Sequence, residues 1–142
     1  TIEWCNENLG RYAQFKLTNA VPPLPYDDET FDFIFANSVF THIRYGETLL
    51  WIDELFRITK PGGCVITSHY DPNEHLRHSD HVRLDNALCE KGYIEWGNES
   101  VRENHIYFSQ QKLKEIWGER FEIMEYRQHF KDQGHLVVRR SN

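Results

Sequence analysis

The chain has 142 residues, 39% of them hydrophobic and 27% charged, with a formal net charge of -6. That length suits one domain with a real core, and the composition is ordinary for a globular protein in water. The acidic balance and the lack of any Lys/Arg cluster argue against a nucleic-acid-binding face. Arg139 and Arg140 are adjacent at the end of the chain and read as a solvated terminus. No apolar run approaches the ~20 residues of a membrane span, and no charged-then-apolar leader opens the chain. Cys5, Cys64 and Cys89 are odd in number and scattered, as expected of reduced thiols in a cytoplasmic protein.

Thr1 to Leu9 reads as the end of a helix, with Ile2, Cys5 and Leu9 at helical spacing and Gly10 as its stop. Tyr12 to Leu17 alternates weakly, which predicts a short strand. Pro22, Pro23 and Pro25 then hold the backbone extended. The acids of Tyr26-Asp27-Asp28-Glu29 read as a solvated turn. Phe31 to Ala36 is almost wholly apolar, as in a strand buried on both faces. It ends at Asn37 and Ser38, small and polar, where an open α/β sheet meets its ligand.

A helix is predicted from Glu47 to Thr59, with Leu49, Ile52, Leu55, Phe56 and Ile58 inward. Pro61-Gly62-Gly63 breaks it, and Cys64 to Ser68 is a second buried strand ending at His69-Tyr70-Asp71. Strand, helix, strand in that order implies parallel pairing. Residues 72–104 turn polar and read as an insertion or lid over the sheet rim, with a helix from Glu74 to Glu90. His105 to Phe108 is extended, and Ser109 caps a helix from Gln110 to Trp117. Phe121 to Tyr126 and Gly134 to Arg139 form an antiparallel hairpin.

Three blocks together resemble the class I S-adenosylmethionine-dependent methyltransferases. They are Pro22-Pro-Leu-Pro-Tyr26, Thr30-Phe-Asp-Phe-Ile-Phe-Ala-Asn-Ser-Val-Phe-Thr-His-Ile43 and Glu54-Leu-Phe-Arg-Ile-Thr-Lys-Pro-Gly-Gly63. The resemblance implies an α/β fold with a Rossmann-like, mostly parallel sheet and an antiparallel C-terminal hairpin. It implies methyl transfer from S-adenosylmethionine to a small molecule. By the same resemblance Asn19 and Ala20 border the adenine ring, with Asn19 where the family usually has Asp. Asn37, Ser38 and Val39 line the methionine end, and Phe40 lies against cofactor or core. His42 is placed near the substrate as the candidate catalytic residue, with His69 and Tyr70 beside it.

The family's Gly-rich cofactor loop has no counterpart, since no two of the eight glycines stand as Gly-x-Gly. The resemblance therefore covers one partial domain over residues 1–142, lacking the first two strands of the sheet. Cofactor binding by this chain alone is left open. Tyr12–Leu17 and Phe31–Ala36 would lose their neighbours, and exposed strand edges associate. Direct pairing of the two, strand exchange in a homo-oligomer, or a partner chain would close that gap. The alternative reading is a non-catalytic α/β fragment acting through such contacts. A metal-dependent hydrolase using His69, His75, His78 and His81 is a third reading. Spacings of three along a helix fan the rings apart, so no metal site is expected.

Overall fold

The apolar run Phe31–Ala36 forms strand β1 and pairs in parallel with β2, Thr59–Tyr70, in register from Phe33 with Cys64 to Ala36 with Thr67. The computed structural model describes residues 1–70, 88, 90–97, 104–128 and 133–142. The remaining elements are α1 (Ile2–Leu9), α2 (Tyr45–Ile58), β3 (Tyr93–Trp96), β4 (His105–Phe108), α3 (Gln110–Gly118), β5 (Glu122–Gln128) and β6 (Gln133–Arg139). The predicted helix over Glu74 to Glu90 and most of the predicted lid lie outside the described residues, with His75, His78 and His81.

The six strands form one sheet in the order β3-β4-β2-β6-β5, with β1 also on β2. β1, β2, β4 and β5 run one way, and β3 and β6 run against them. One edge of β2 is filled by β6 along its whole C-terminal half, from Cys64 to Tyr70. Its other edge is shared. β1 occupies it up to Thr67, and β4 takes over at Tyr70. The sheet forks there, and the loop after β1 fills the fork, held by the Ile106 N–H donating to the Thr41 carbonyl at 3.0 Å.

The core lies between this sheet and the two longer helices. Thr48, Ile52, Leu55 and Ile58 bury one stripe of α2 at helical spacing. Leu113, Ile116 and Trp117 do the same on α3, and Phe40, Val65, Phe108 and Leu136 fill the space between. Ser109 caps α3 as predicted, its hydroxyl accepting from the Lys112 N–H at 3.1 Å.

The predicted strand Tyr12–Leu17 does not form. These residues carry no regular structure, and direct pairing with β1 is absent, since β1 pairs with β2 alone among the described residues. A strand without a neighbour has no ladder to hold it. Asn6 supplies a substitute for one residue: its side-chain amide accepts from the Phe15 N–H at 3.1 Å and donates to the Phe15 carbonyl at 3.0 Å. Leu17 is left 84% exposed. Nor is β1 buried on both faces, for Phe33 and Phe35 are 55% and 58% exposed. Its apolar sequence describes a central strand, and its surroundings here are those of an edge.

Side chains of α2 tie down what the sheet does not. Glu54, 6% exposed, accepts from the Leu24 N–H at 2.7 Å and from Arg57, whose guanidinium also donates to the Tyr26 carbonyl and to Asp28. The Arg57 hydrogen bonds, and then the Leu24 N–H, hold the Glu54 carboxyl below its ordinary pKa against the opposing effect of burial. Asp28 is thus paired to Arg57, although it was expected to be only solvated. Arg140 is likewise no solvated tail. It donates to the Phe56 and Thr59 carbonyls at 3.0 and 2.6 Å and to Glu29, with its guanidinium over the Phe56 ring. A cation there satisfies the orphan carbonyls at the end of α2 and suits the helix dipole.

Replacing Arg57 with Ala leaves the buried Glu54 carboxylate without its cation and the Tyr26 carbonyl without its donor. It should lower the melting temperature clearly more than Arg120→Ala, which breaks an ion pair with both partners more than half exposed. Equal melting temperatures for the two variants would show that the clamp adds nothing.

Candidate functional site

The loop from Asn37 to Ile43 leaves the carboxyl end of β1 and enters the fork. Its backbone is fixed at several points. The Ser38 N–H donates to the Ser68 hydroxyl at 2.6 Å, and the Ser38 hydroxyl donates to Gln133 at 3.2 Å. Those contacts hold Ser38 at φ +56°, the left-handed region that a residue with a Cβ seldom occupies. Such outliers persist only where the surroundings over-determine them, and they cluster at ligand sites. Asn37, Ser38 and Val39 are exposed at this strand end. Phe40 and Thr41 turn inward and are buried, so the loop is rooted in the core. Of the two places the resemblance allows Phe40, the structure gives it the core, edge-on to Trp117 at 5.3 Å.

His42 is part-buried on the far side of the loop, with Nδ1 2.8 Å from the Asn104 carbonyl oxygen. A carbonyl can only accept, so Nδ1 carries the hydrogen in that contact and the neutral ring presents Nε2 as an acceptor. No described residue pairs with Nε2. His42 meets His105 and Tyr70 edge-on, at 5.2 and 6.0 Å between ring centres, and Tyr70 stacks on Tyr107 at 5.1 Å. Tyr70 therefore stands beside His42.

His69 does not join them. It is 1% exposed, enclosed by Phe40, Phe108 and Trp117, with Nε2 2.9 Å from the Thr67 hydroxyl. An imidazole so placed offers no surface to a ligand. Burial, and then the field of His135, pull its pKa down from 6.5 to about 3. Asn19 and Ala20 are exposed on the irregular segment before β1. No group of three His, Cys, Asp or Glu that could hold a metal occurs among the described residues.

Beside His42 lies a cleft of about 170 Å³, lined by His42, Arg44, Glu95, Trp96, His105 and Ile106. The wall contributed by β3 was not legible in the sequence, because four residues between Gly92 and Gly97 read as loop. It is pinned to α2 by the Glu95 carboxylate, which accepts from the Tyr45 N–H, and by the Tyr45 and Tyr93 rings, stacked at 4.2 Å. Gln133, which orients Ser38, lies 95 positions away and carries no local signal.

The sequence family described as a methyltransferase domain matches residues 1–67. Among solved structures, a SAM-dependent methyltransferase from Methanosarcina mazei superimposes with a TM-score of 0.69 at 22% identity, over 90% of this chain and 67% of its own. The chain's fold is that of the class I S-adenosylmethionine-dependent methyltransferases. A protein from Pyrococcus horikoshii matches with a TM-score of 0.71 at 15% identity, over 98% of this chain and 65% of its own. A Burkholderia thailandensis N1-methyltransferase, solved with bound 1,6-didemethyltoxoflavin and S-adenosylhomocysteine, matches with a TM-score of 0.58 at 13% identity, over 81% of this chain and 46% of its own. The chain thus spans about two-thirds or less of the length of these methyltransferase-fold proteins. No helix among its described residues is long and apolar enough to cross a membrane.

The buried His69 gives the fold a pH dependence with a definite sign. The folded chain keeps this ring neutral down to about pH 3, whereas the unfolded chain protonates it below 6.5. Its contribution to stability is complete above pH 6.5 and is lost as the pH falls from there towards 3. Between pH 6 and 4 the chain should lose about 1.4 kcal/mol per pH unit more than the His69→Gln variant, by urea unfolding. Parallel pH profiles for the two would contradict this.

Proposed function

We propose that the chain forms the methyl-side wall and acceptor side of an enzyme that transfers a methyl group from S-adenosylmethionine to a small-molecule acceptor. The observation that carries this reading is Ser38. It is held at positive φ by Ser68 and Gln133, so that Asn37 and Val39 face outward at the carboxyl end of a parallel strand. In this fold class, ligands lie outside such ends. An exposed amide and an over-determined backbone there fit a methionine-bearing ligand.

When bound, S-adenosylmethionine supplies a methyl group on a positively charged sulfur, already electrophilic. What the chain has to add is placement. Asn37, Ser38 and Val39 hold the donor's methionine end, and Asn19 with Ala20 borders its adenine, where the Asn19 amide oxygen accepts. Phe40 and His69 support that loop from behind. His42 and Tyr70 face the acceptor, and Nε2 of His42 accepts the hydrogen of the group to be methylated. The acceptor is a small molecule, and the setting is cytoplasmic, as the thiol pattern suggests.

A second reading is favoured by the exposed Phe33 and Phe35. In it the chain is not catalytic, and its free β1 edge pairs with a second copy.

Calorimetric titration of the chain with S-adenosylhomocysteine separates the two. Methyl transfer by this chain predicts binding in the millimolar range or tighter, weakened about three- to tenfold by Asn37→Ala, the share of one hydrogen bond. No heat at millimolar ligand, with sedimentation that rises with concentration, would favour the second reading.

A further inference from the structure

We infer that Ser68 is a positioning residue of the donor site, acting through Ser38. Its place in the ladder makes it one. β1 and β2 stay in register up to Ala36 opposite Thr67, and Ser68 is the next residue of β2. Its hydroxyl, 0% exposed, accepts from the Ser38 N–H at 2.6 Å just where the backbone ladder stops. A side chain thus stands in for the next carbonyl of β2, and the chain leaves the sheet at Ser38 instead of running on.

Successive residues of a strand point to opposite faces. Thr67 and His69 share one face, joined at 2.9 Å, and Phe40 and Trp117 pack against His69 there. Ser68 belongs to the other face, together with Gln133, which stands opposite Tyr70 on β6. Ser38 is tied to that second face, while Phe40, two residues on, is buried in the first. The loop crosses from one face of the sheet to the other within three residues, by way of the left-handed turn at Ser38. Asn37 and Val39 flank that turn, so their direction depends on it. The turn is held by the chain's own groups, and a ligand need not form it. The link from this turn to donor binding rests on the function proposed above. The link from Ser68 to the turn does not.

The test is NMR of the full chain, alone and titrated with S-adenosylhomocysteine. A positive φ brings a residue's amide and α hydrogens close together, so Ser38 of the free chain should give a strong intraresidue cross-peak. Ser68→Ala should weaken that cross-peak and weaken the ligand about fivefold or more, the cost of a left-handed residue without its anchor. Gln133→Ala should cost only about twofold, since its contact is longer and exposed. Glycine adopts this φ freely, so in a Ser38→Gly background Ser68→Ala should cost about twofold or less. A merely structural Ser68 would cost the same in both backgrounds. Ser38→Val, at an exposed position, leaves the core intact and should bind about tenfold more weakly than Ser38→Gly. An equal cost in both backgrounds, equal binding by Ser38→Val and Ser38→Gly, or a weak Ser38 cross-peak in the unaltered chain would overturn the proposal. If the ligand does not bind the unaltered chain, the methyl-transfer reading fails and this inference with it. If it binds and Ser68→Ala leaves its affinity unchanged, this inference alone fails.

Discussion

The double-edged pairing of β2 is the constraint on which the rest depends. β6 takes one edge, while β1 and then β4 divide the other. Because β1 stops where β4 begins, the backbone between Asn37 and Ile43 must turn out of the sheet at one place. Ser68 on β2 and Gln133 on β6 meet Ser38 there and set its left-handed conformation. The candidate donor face and the cleft beside His42 both belong to that one loop. A slip of one residue in the β1–β2 register would exchange the faces of β1 and misplace both.

A second principle is substitution of side-chain contacts for sheet contacts. The segment before β1 has no strand beside it among the described residues, so its backbone groups are met by Glu54 and Arg57, and its Glu29 side chain by Arg140. Arg57 and Arg140 work at the end of α2, where unpaired carbonyls and the helix dipole favour a cation. The result fixes residues 24–30 while leaving Phe33 and Phe35 in contact with solvent.

Features set by neighbouring residues were legible in the sequence. α2 is there because its apolar stripe has the helical period, and α3 because Ser109 precedes such a stripe. The β5–β6 hairpin follows from two short runs with no helix between them. Features set by distant neighbours were not. Tyr12–Leu17 has strand-like residues and no partner. The run Phe31–Ala36 predicts burial that only a further strand could provide. His69 ends a strand as a site residue would, yet Phe40, Phe108 and Trp117 close over it from three other elements. Trp96 and Glu95 form a cleft wall that four residues of sequence cannot announce, and Arg140 finds its carbonyls across more than eighty positions. The predicted residues Asn37 to Val39 and His42 lie on one continuous loop.

The central claim is that this loop receives the methyl donor at the carboxyl end of β1. Its most direct test is amide NMR of the full chain titrated with S-adenosylhomocysteine. The account predicts that the largest shifts fall at Asn37, Ser38 and Val39, with a second group at Asn19 and Ala20. Shifts confined to the Phe33–Phe35 edge, or none at saturating ligand, would contradict it.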